Sequence, residues 1–325
     1  MPEFSRRHLL VAGAAVGAAS LAGAAPALLR GRSGERVLVV GGGPAGAAAA
    51  IALRGAQPAT KVLLVERDPT QLRPGRPAGP VSGPLAGAGY DALAAAGVSI
   101  AVDEIRDIDW QRGTAAAISG RSFAFDRIVV APGVAARDEG IEGYDRDAAE
   151  AMPHGWFGTT SIRRLAAQIR AMADGGTVAI RVPPGRMRFP EGPFRRAAEI
   201  AGYLAREKPA STVVLLDHGN TGADRAADLV RAFGRNVDYV SGASFGPVER
   251  VDAATRTIHG RNGRLAADVV NFVPAQMAGE LALRAGLADA TGWCPVEAGR
   301  QISRLQPRAV LVGDAAFAGD GAAAS

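Results

Sequence analysis

The chain has 325 residues, 48% of them hydrophobic, with a formal net charge of +5 and a single cysteine, Cys294. That is apolar content for roughly two domains with sizeable cores, and one cysteine excludes any internal disulfide. Without the first thirty residues, which hold Arg6, Arg7 and Arg30 against Glu3, the charge falls to +3. Lys61 and Lys208 are the only lysines, and no aromatic-basic interleaving accompanies the arginines, so nucleic acid is not expected as a partner.

Residues 1–30 read as a segment outside the fold. Ser5-Arg6-Arg7-His8-Leu9-Leu10 is a twin-arginine pattern, followed by an apolar run of Ala, Gly, Val and Leu to about Ala27. Small residues around Ala22–Ala27 offer cleavage sites. An uncleaved anchor is the other reading, but the run is short and rich in Ala and Gly. The expectation is a removed export signal that carries a folded protein to the periplasm or cell exterior.

Residues 36–67 have the length of one βαβ unit. Val37–Val40 is a short apolar run that feeds into Gly41-Gly42-Gly43-Pro44-Ala45-Gly46, then an alanine-rich helix, then a second apolar run, Val62–Val65, closed by Glu66 and Arg67. Each part of the G-x-G-x-x-G pattern has a mechanical task. Gly41 permits the tight turn, Gly43 lets the backbone approach a pyrophosphate, and Gly46 lets helix and strand pack closely. Pro44 suits the first helical turn, where its missing N–H is not needed. The free N–H groups of that turn, from Ala45 onward, and the helix dipole favour phosphate. Glu66 is placed to accept hydrogen bonds from ribose hydroxyls, and its charge would repel a 2′-phosphate, which favours FAD or NAD over NADP. A purely structural βαβ unit is the weaker alternative.

A Pro/Gly-rich loop follows, Asp68–Gly89, with Arg73 and Arg76 inside it. A short helix over Tyr90–Ala96, a strand over Val98–Val102, and a small antiparallel meander to Phe125 are predicted next. Phe125–Val130 then reads as a buried strand ending in Ala131-Pro132-Gly133.

A second α/β unit is predicted from about Ile162 to Leu265: helix 162–172, strand 176–182, helix 197–206, strand 212–217. Its first strand leads into Pro183–Pro193, where four prolines remove N–H donors that a pyrophosphate cradle would need. No NAD is expected there. Val269–Val273 and Ala309–Val312 read as strands, the last closing in Gly313-Asp314. Ala315–Ser325 reads as the start of a helix. His154, His218 and His259 show no metal spacing, so no metal is expected. Arg186, Arg188, Arg195 and Arg196 read either as a basic rim or as a solvated face.

The fold class is therefore α/β, an FAD/NAD(P)-binding Rossmann-like flavoprotein fold with two dinucleotide-type domains. The expected division is a signal over 1–30, an FAD domain over 31–145, a second Rossmann-like domain over 146–267, and the returning FAD segment over 268–325. A strand ending in A-[TP]-G closes the first half of the FAD domain in such flavoproteins, and a Gly-Asp pair after the last strand holds the ribityl chain. Ala131-Pro132-Gly133 and Gly313-Asp314 resemble these two anchors. With Gly41–Gly46 and Glu66 they complete a set for noncovalent FAD.

Four further segments occur in one order: Met152-Pro153-His154-Gly155-Trp156, Asp174–Val178, Phe189–Ala197 and Gly292-Trp293-Cys294-Pro295-Val296. In that order the chain resembles the flavoprotein subunit of flavocytochrome c sulfide dehydrogenase, a relative of the sulfide:quinone oxidoreductases. The resemblance implies electron flow from sulfide or another small donor, through FAD, to a c-type cytochrome subunit. It also implies a redox disulfide beside the flavin, and here the chain departs from the family. Phe189 stands where the resemblance places the first redox cysteine, Asp68–Gly89 holds no flavin-attaching cysteine, and the second redox cysteine would fall beyond Ser325. Cys294 matches the family's Trp-Cys-Pro and reads as a structural thiol. No catalytic residue is assigned. The alternative function is a degenerate homologue that binds flavin or a partner without turnover.

Overall fold

The computed structural model describes residues 34–72, 89–157, 159–218 and 222–318. The twin-arginine segment, Arg73, Arg76 and the rest of that loop to residue 88, and residues 319–325 lie outside them.

In chain order, β1 (Arg36–Val40), α1 (Pro44–Ala56) and β2 (Lys61–Glu66) form the opening βαβ unit. Helix α2 (Tyr90–Ala95) and β3 (Ser99–Val102) follow. The meander is β4 (Ile105–Asp109), β5 (Thr114–Ala117) and β6 (Ser122–Ala124), and β7 (Arg127–Val130) and β8 (Val134–Ala136) come next. Then come α3 (Arg146–Ala151), α4 (Thr159–Ala171), β9 (Thr177–Val182), α5 (Gly192–Glu207), β10 (Thr212–Asp217), α6 (Ala223–Phe233), β11 (Val237–Ser241) and α7 (Gly242–Phe245). A second meander comprises β12 (Val248–Asp252), β13 (Thr257–Gly260) and β14 (Gly263–Ala266). The chain returns through β15 (Val269–Phe272), β16 (Gln276–Ala278), α8 (Glu280–Arg284), β17 (Cys294–Pro295), β18 (Ala309–Leu311) and β19 (Ala316–Phe317).

These elements form two compact units. Among the described residues the first holds 34–72, 89–135 and 277–318, and the second holds residues between 136 and 276. The chain crosses from one to the other in β8 and crosses back in β16.

The first unit is built on a parallel sheet of order β18-β7-β1-β2-β3. A parallel sheet is covered on both faces, so its strands read as continuous apolar runs. The period of two sorts them. Leu38 and Val40 of β1 pack with Ile128, Val130, Phe123 and Leu311, while Val37 and Val39 pack on the opposite face with Ala47, Ala50 and Leu53 of α1. Burial of side chains this size contributes about 1.5–3 kcal/mol each. Alanines bring α1 close to the sheet, and Gly46 brings it closest, since a methyl group there would sit 1.9 Å from the Gly41 carbonyl oxygen.

The second unit has its own parallel sheet, β11-β10-β9-β15. One face packs Val178, Ile180 and Val182 against Leu165 and Ile169 of α4 and Ile200 and Leu204 of α5. The other packs Ala179, Leu216 and Phe272 against Met152, Phe245 and Ile258. Strand Val269–Phe272, placed by the sequence at the head of the returning FAD segment, pairs here with β9.

Two local expectations change. Helix α5 begins at Gly192, within the segment of prolines, because Pro193 is admitted in a first helical turn. Of the segment after Gly313, residues 314–318 are described and are not helical. Ala316–Phe317 pair in parallel with Cys294–Pro295, and the ladder is set by Cys294 N–H to Ala315 O at 3.0 Å and Val296 N–H to Phe317 O at 2.9 Å.

Candidate functional site

Strands β1, β2, β7 and β18 are parallel, so their C-terminal ends lie on one edge of the first sheet. Open α/β sheets hold ligands at that edge. The segments after these strands are Gly41–Gly46, Glu66-Arg67, Ala131–Gly133 and Gly313-Asp314. The structure thus places the sequence-derived candidates other than Arg67 at one end of one sheet.

Backbone bonds link the segments. Gly41 N–H reaches Val65 O at 2.9 Å, Ala131 N–H reaches Val40 O at 2.8 Å, and Val312 N–H reaches Val130 O at 3.1 Å. Gly41 has φ +103°, and a methyl group there would meet Ala131 O at 2.3 Å. Gly313, with φ +90°, lies against Ala45, whose Cβ would be 3.0 Å from a methyl group at 313. Asp314 follows, half-buried.

The start of α1 is open. Gly43 is its N-cap, no side chain caps it, no acid lies in its first turn, and Pro44 stands at the first position. Among the described residues, Gly43, Ala45 and Gly46 N–H bond to no group outside the helix. A methyl group on Gly43 would meet nothing within 4 Å. Unsatisfied N–H groups, a positive helix end and free space in front of it suit an anion of pyrophosphate type. These residues fit the adenine dinucleotide that the sequence implies.

Glu66 is buried beneath the turn. Its carboxylate accepts from Gly42 N–H through Oε2, and from Asp68 N–H through Oε1 at 2.8 Å. Arg67 is not gathered with the others; it is exposed and pairs with Glu104 at 3.8 Å. Two contributors are absent from the sequence reading. Leu72 packs under Gly42, and Gly279 lies where a methyl group would come 2.1 Å from Pro132 O. Gly42 was legible as part of a glycine run, whereas Gly279, 147 residues after Pro132, carried no local signal.

The corresponding edge of the second sheet is filled by its own side chains. A methyl group on Gly192, at the start of α5, would meet the Trp156 ring at 2.2 Å and the Phe189 ring at 2.8 Å. Glu191 stands as N-cap there, and its carboxylate pairs with Arg225 at 2.6 Å. Asp217, at the end of β10, is fully buried and accepts from Gly222 N–H and Tyr239 O–H, both at 3.0 Å. Burial, with Asp217 adding to it, pushes the Tyr239 hydroxyl up to about 12.

The Pro-His-x-Trp segment is held from inside. Arg196 donates to His154 O at 3.2 Å, Gly155 O at 2.6 Å and Asn271 Oδ1 at 3.1 Å, and its guanidinium lies 5.0 Å from the Trp156 ring. Asn271 Nδ2 donates to Pro153 O and His154 O. His154 Nδ1 accepts from the N–H groups of Trp156 and Phe157, and burial, with Arg196 second, holds its pKa down at about 4. Arg196 therefore belongs to the interior and to no basic rim. Cys294 is also buried, and burial followed by Asp289 pushes its thiol up to about 12.

No group of three or more His, Cys, Asp or Glu arranged to hold a metal occurs among the described residues.

Two family models match the chain. Residues 35–172 match the pyridine nucleotide-disulphide oxidoreductase family, and residues 162–274 match the central part of the sulfide dehydrogenase (flavocytochrome c) flavoprotein chain. Among solved structures, the chain is similar to the sulfide:quinone oxidoreductase of the hyperthermophilic bacterium Aquifex aeolicus, with a TM-score of 0.66 at 18% identity, covering 87% of this chain and 69% of that one. It is similar to putidaredoxin reductase from a covalent putidaredoxin complex, with a TM-score of 0.63 at 20% identity over 88% and 68% of the two chains. A third is reduced CoADR-RHD of Bacillus anthracis, with a TM-score of 0.64 at 18% identity over 88% and 52%. This chain has the FAD/NAD(P)-binding fold of the pyridine nucleotide-disulphide oxidoreductases, with a middle segment that matches the sulfide dehydrogenase flavoprotein chain.

Proposed function

We propose that the protein is an exported flavoprotein oxidoreductase that passes electrons from a reduced sulfur compound, or another small donor, through noncovalent FAD to a c-type cytochrome. The observation that carries this reading is the gathering of four dinucleotide-type segments at one sheet edge, around an uncapped helix start. The match of residues 162–274 to the sulfide dehydrogenase flavoprotein chain supports the donor and the cytochrome. Arg6-Arg7 and the apolar run after them support export to the periplasm.

Gly43, Ala45 and Gly46 would hold the pyrophosphate, Glu66 the adenosine ribose, and Gly313-Asp314 the ribityl chain. Ala131–Gly133 would shape the wall between them. FAD, when bound, supplies two-electron chemistry. The chain's own contribution is to orient that group and to keep the helix start free of competing carboxylates. Trp156 and the internally bonded Asp217 argue against a second dinucleotide in the other unit.

One observation favours a second reading, a homologue that binds flavin without turnover. Cys294 is the sole thiol of this sequence, and it is buried and held in its neutral form. Chemistry through a thiolate needs a lowered pKa and access. A longer chain with a cysteine after Ser325 would favour turnover.

The test is an absorbance spectrum of purified protein before and after acid precipitation, followed by anaerobic sulfide addition. Flavin bands that stay in the supernatant and bleach with sulfide support the first reading. Flavin untouched by sulfide supports the second, and protein without flavin on expression and titration sinks both.

A further inference from the structure

At the end of the first sheet opposite the glycine turn, Arg36, Lys61 and Ser99 open β1, β2 and β3. The register pairs Arg36 with Lys61, Leu38 with Leu63, and Leu63 with Ser99. A period of two puts all five side chains on one face, the face that the first meander covers. That cover is incomplete at this corner. Leu38 is buried, Leu63 is half-buried, and Ser99 is exposed. Ala124 of β6 borders the corner with a single methyl group, and a hollow of about 170 Å3 lies between these side chains.

The rim of the hollow is cationic. Asp126 holds Arg36 through Nε at 3.1 Å and Nη2 at 2.7 Å. A guanidinium has five N–H donors, so three of them remain. Lys61 stands on the adjoining strand, about 4.8 Å away. Among the described residues its ammonium meets no carboxylate and no other acceptor. Arg36 and Asp126 cancel in charge, which leaves Lys61 as the excess over an apolar floor.

We propose that this hollow binds a small carboxylate with a short apolar stem. The head group takes Lys61 and the remaining Arg36 N–H groups, and the stem lies on Leu38 and Leu63 toward Ala124. The volume is below the roughly 300–1,000 Å3 of pockets for drug-sized ligands, so the ligand is smaller than those. Charge alone does not hold it, because exposed ion pairs are weak and screened by salt. Each methylene taken out of water adds roughly fourfold in affinity. Both halves of the ligand are therefore needed. The proposal does not rest on the FAD reading.

The test is an NMR titration of the full chain with hexanoate, followed at the Leu38 and Leu63 methyl groups and the Lys61 ε-carbon. Hexanoate should give saturable shifts confined to these groups, with a Kd on the order of 1 mM. Hexanol carries the stem without the charge, and inorganic phosphate the charge without the stem. Each should bind at least about fivefold more weakly. Lys61→Met should weaken hexanoate by about fivefold or more. Ala124→Leu keeps both cations, fills the hollow and should abolish the shifts. Lack of saturation at about twenty times the expected Kd overturns the proposal. So does hexanol or phosphate that binds as well as hexanoate, or either variant that binds as the wild type does. If Ala124→Leu does not fold, Lys61→Met, at the exposed rim, decides.

Discussion

A methyl group on Gly41 would stand 2.3 Å from the carbonyl oxygen of Ala131, so the turns that end β1 and β7 are locked face to face. Gly43, two residues on, faces open space. Gly41→Ala should therefore destabilise the empty protein by more than about 1 kcal/mol, through overlap and a left-handed φ that alanine resists. Gly43→Ala should change stability by less than about 0.5 kcal/mol yet abolish measurable flavin binding. Thermal unfolding of both variants, paired with a flavin titration, separates the two glycines. A Gly43→Ala protein that binds FAD normally would remove the helix start from the site.

His154 is buried as the neutral base, with a pKa near 4 against an ordinary 6.5. The unfolded chain binds this proton more readily, so stability falls as pH drops below 6.5 and continues to fall to about 4. The loss is roughly 3 kcal/mol at most. His154→Asn keeps an acceptor for Trp156 and Phe157 N–H but does not titrate. Urea unfolding between pH 7 and 4.5 should show a flatter profile for the variant, and parallel profiles would rule His154 out as the cause.

Arg181 and Glu139 form a buried fork, with contacts of 2.7 and 2.5 Å, and Glu139 also accepts Ala275 N–H at 2.8 Å. Burial alone would raise the Glu139 pKa, but the bonds and charge of Arg181 outweigh it and hold the carboxyl below its ordinary 4.5. This contribution is full above pH 4.5 and is lost as pH falls through the lowered value. Removing one partner leaves an uncompensated group, so Glu139→Ala should cost about 3–5 kcal/mol. Denaturant midpoints for Glu139→Ala, Arg181→Met and the double variant give the coupling. A double variant less stable than either single would contradict it.

Cys294 should be silent toward a thiol reagent at pH 8 in native protein and react once per chain in denaturant. Its thiol is held near 12, so the thiolate fraction is on the order of one in ten thousand. Fast labelling without unfolding would reopen it as a redox group.

Much of the first unit could be read from period and punctuation. Val37–Val40, Gly41–Gly46 and Val62–Glu66 are contiguous, and each motif residue lies at or just after the end of its own strand. What escaped reading was long-range. Arg196 looked like one of several surface arginines because its acceptors, near residues 154 and 271, are 42 and 75 positions away. Arg181 sits in an apolar strand, and its burial is explained by Glu139, 42 residues earlier, and by the carbonyl of Val273, 92 residues later. Ala316–Phe317 resembled a helix start by alanine content, while the partner that makes it a strand lies at Cys294–Pro295.

The neck at β8 and β16 bears on how the chain acquires its shape. Arg137 N–H reaches Ala275 O at 2.7 Å inside the second unit, and Gly279 N–H reaches Gly133 O at 3.0 Å inside the first. From the first unit's side, its sheet must await a β18 strand that follows an excursion of about 140 residues. As a random coil, that excursion would impose a large closure entropy and a slow search. The intervening stretch carries its own four-stranded parallel sheet, so it can condense first and present its two ends side by side. Were the inner stretch to condense first, the loop that the first sheet must close would shorten to little more than β8 and β16.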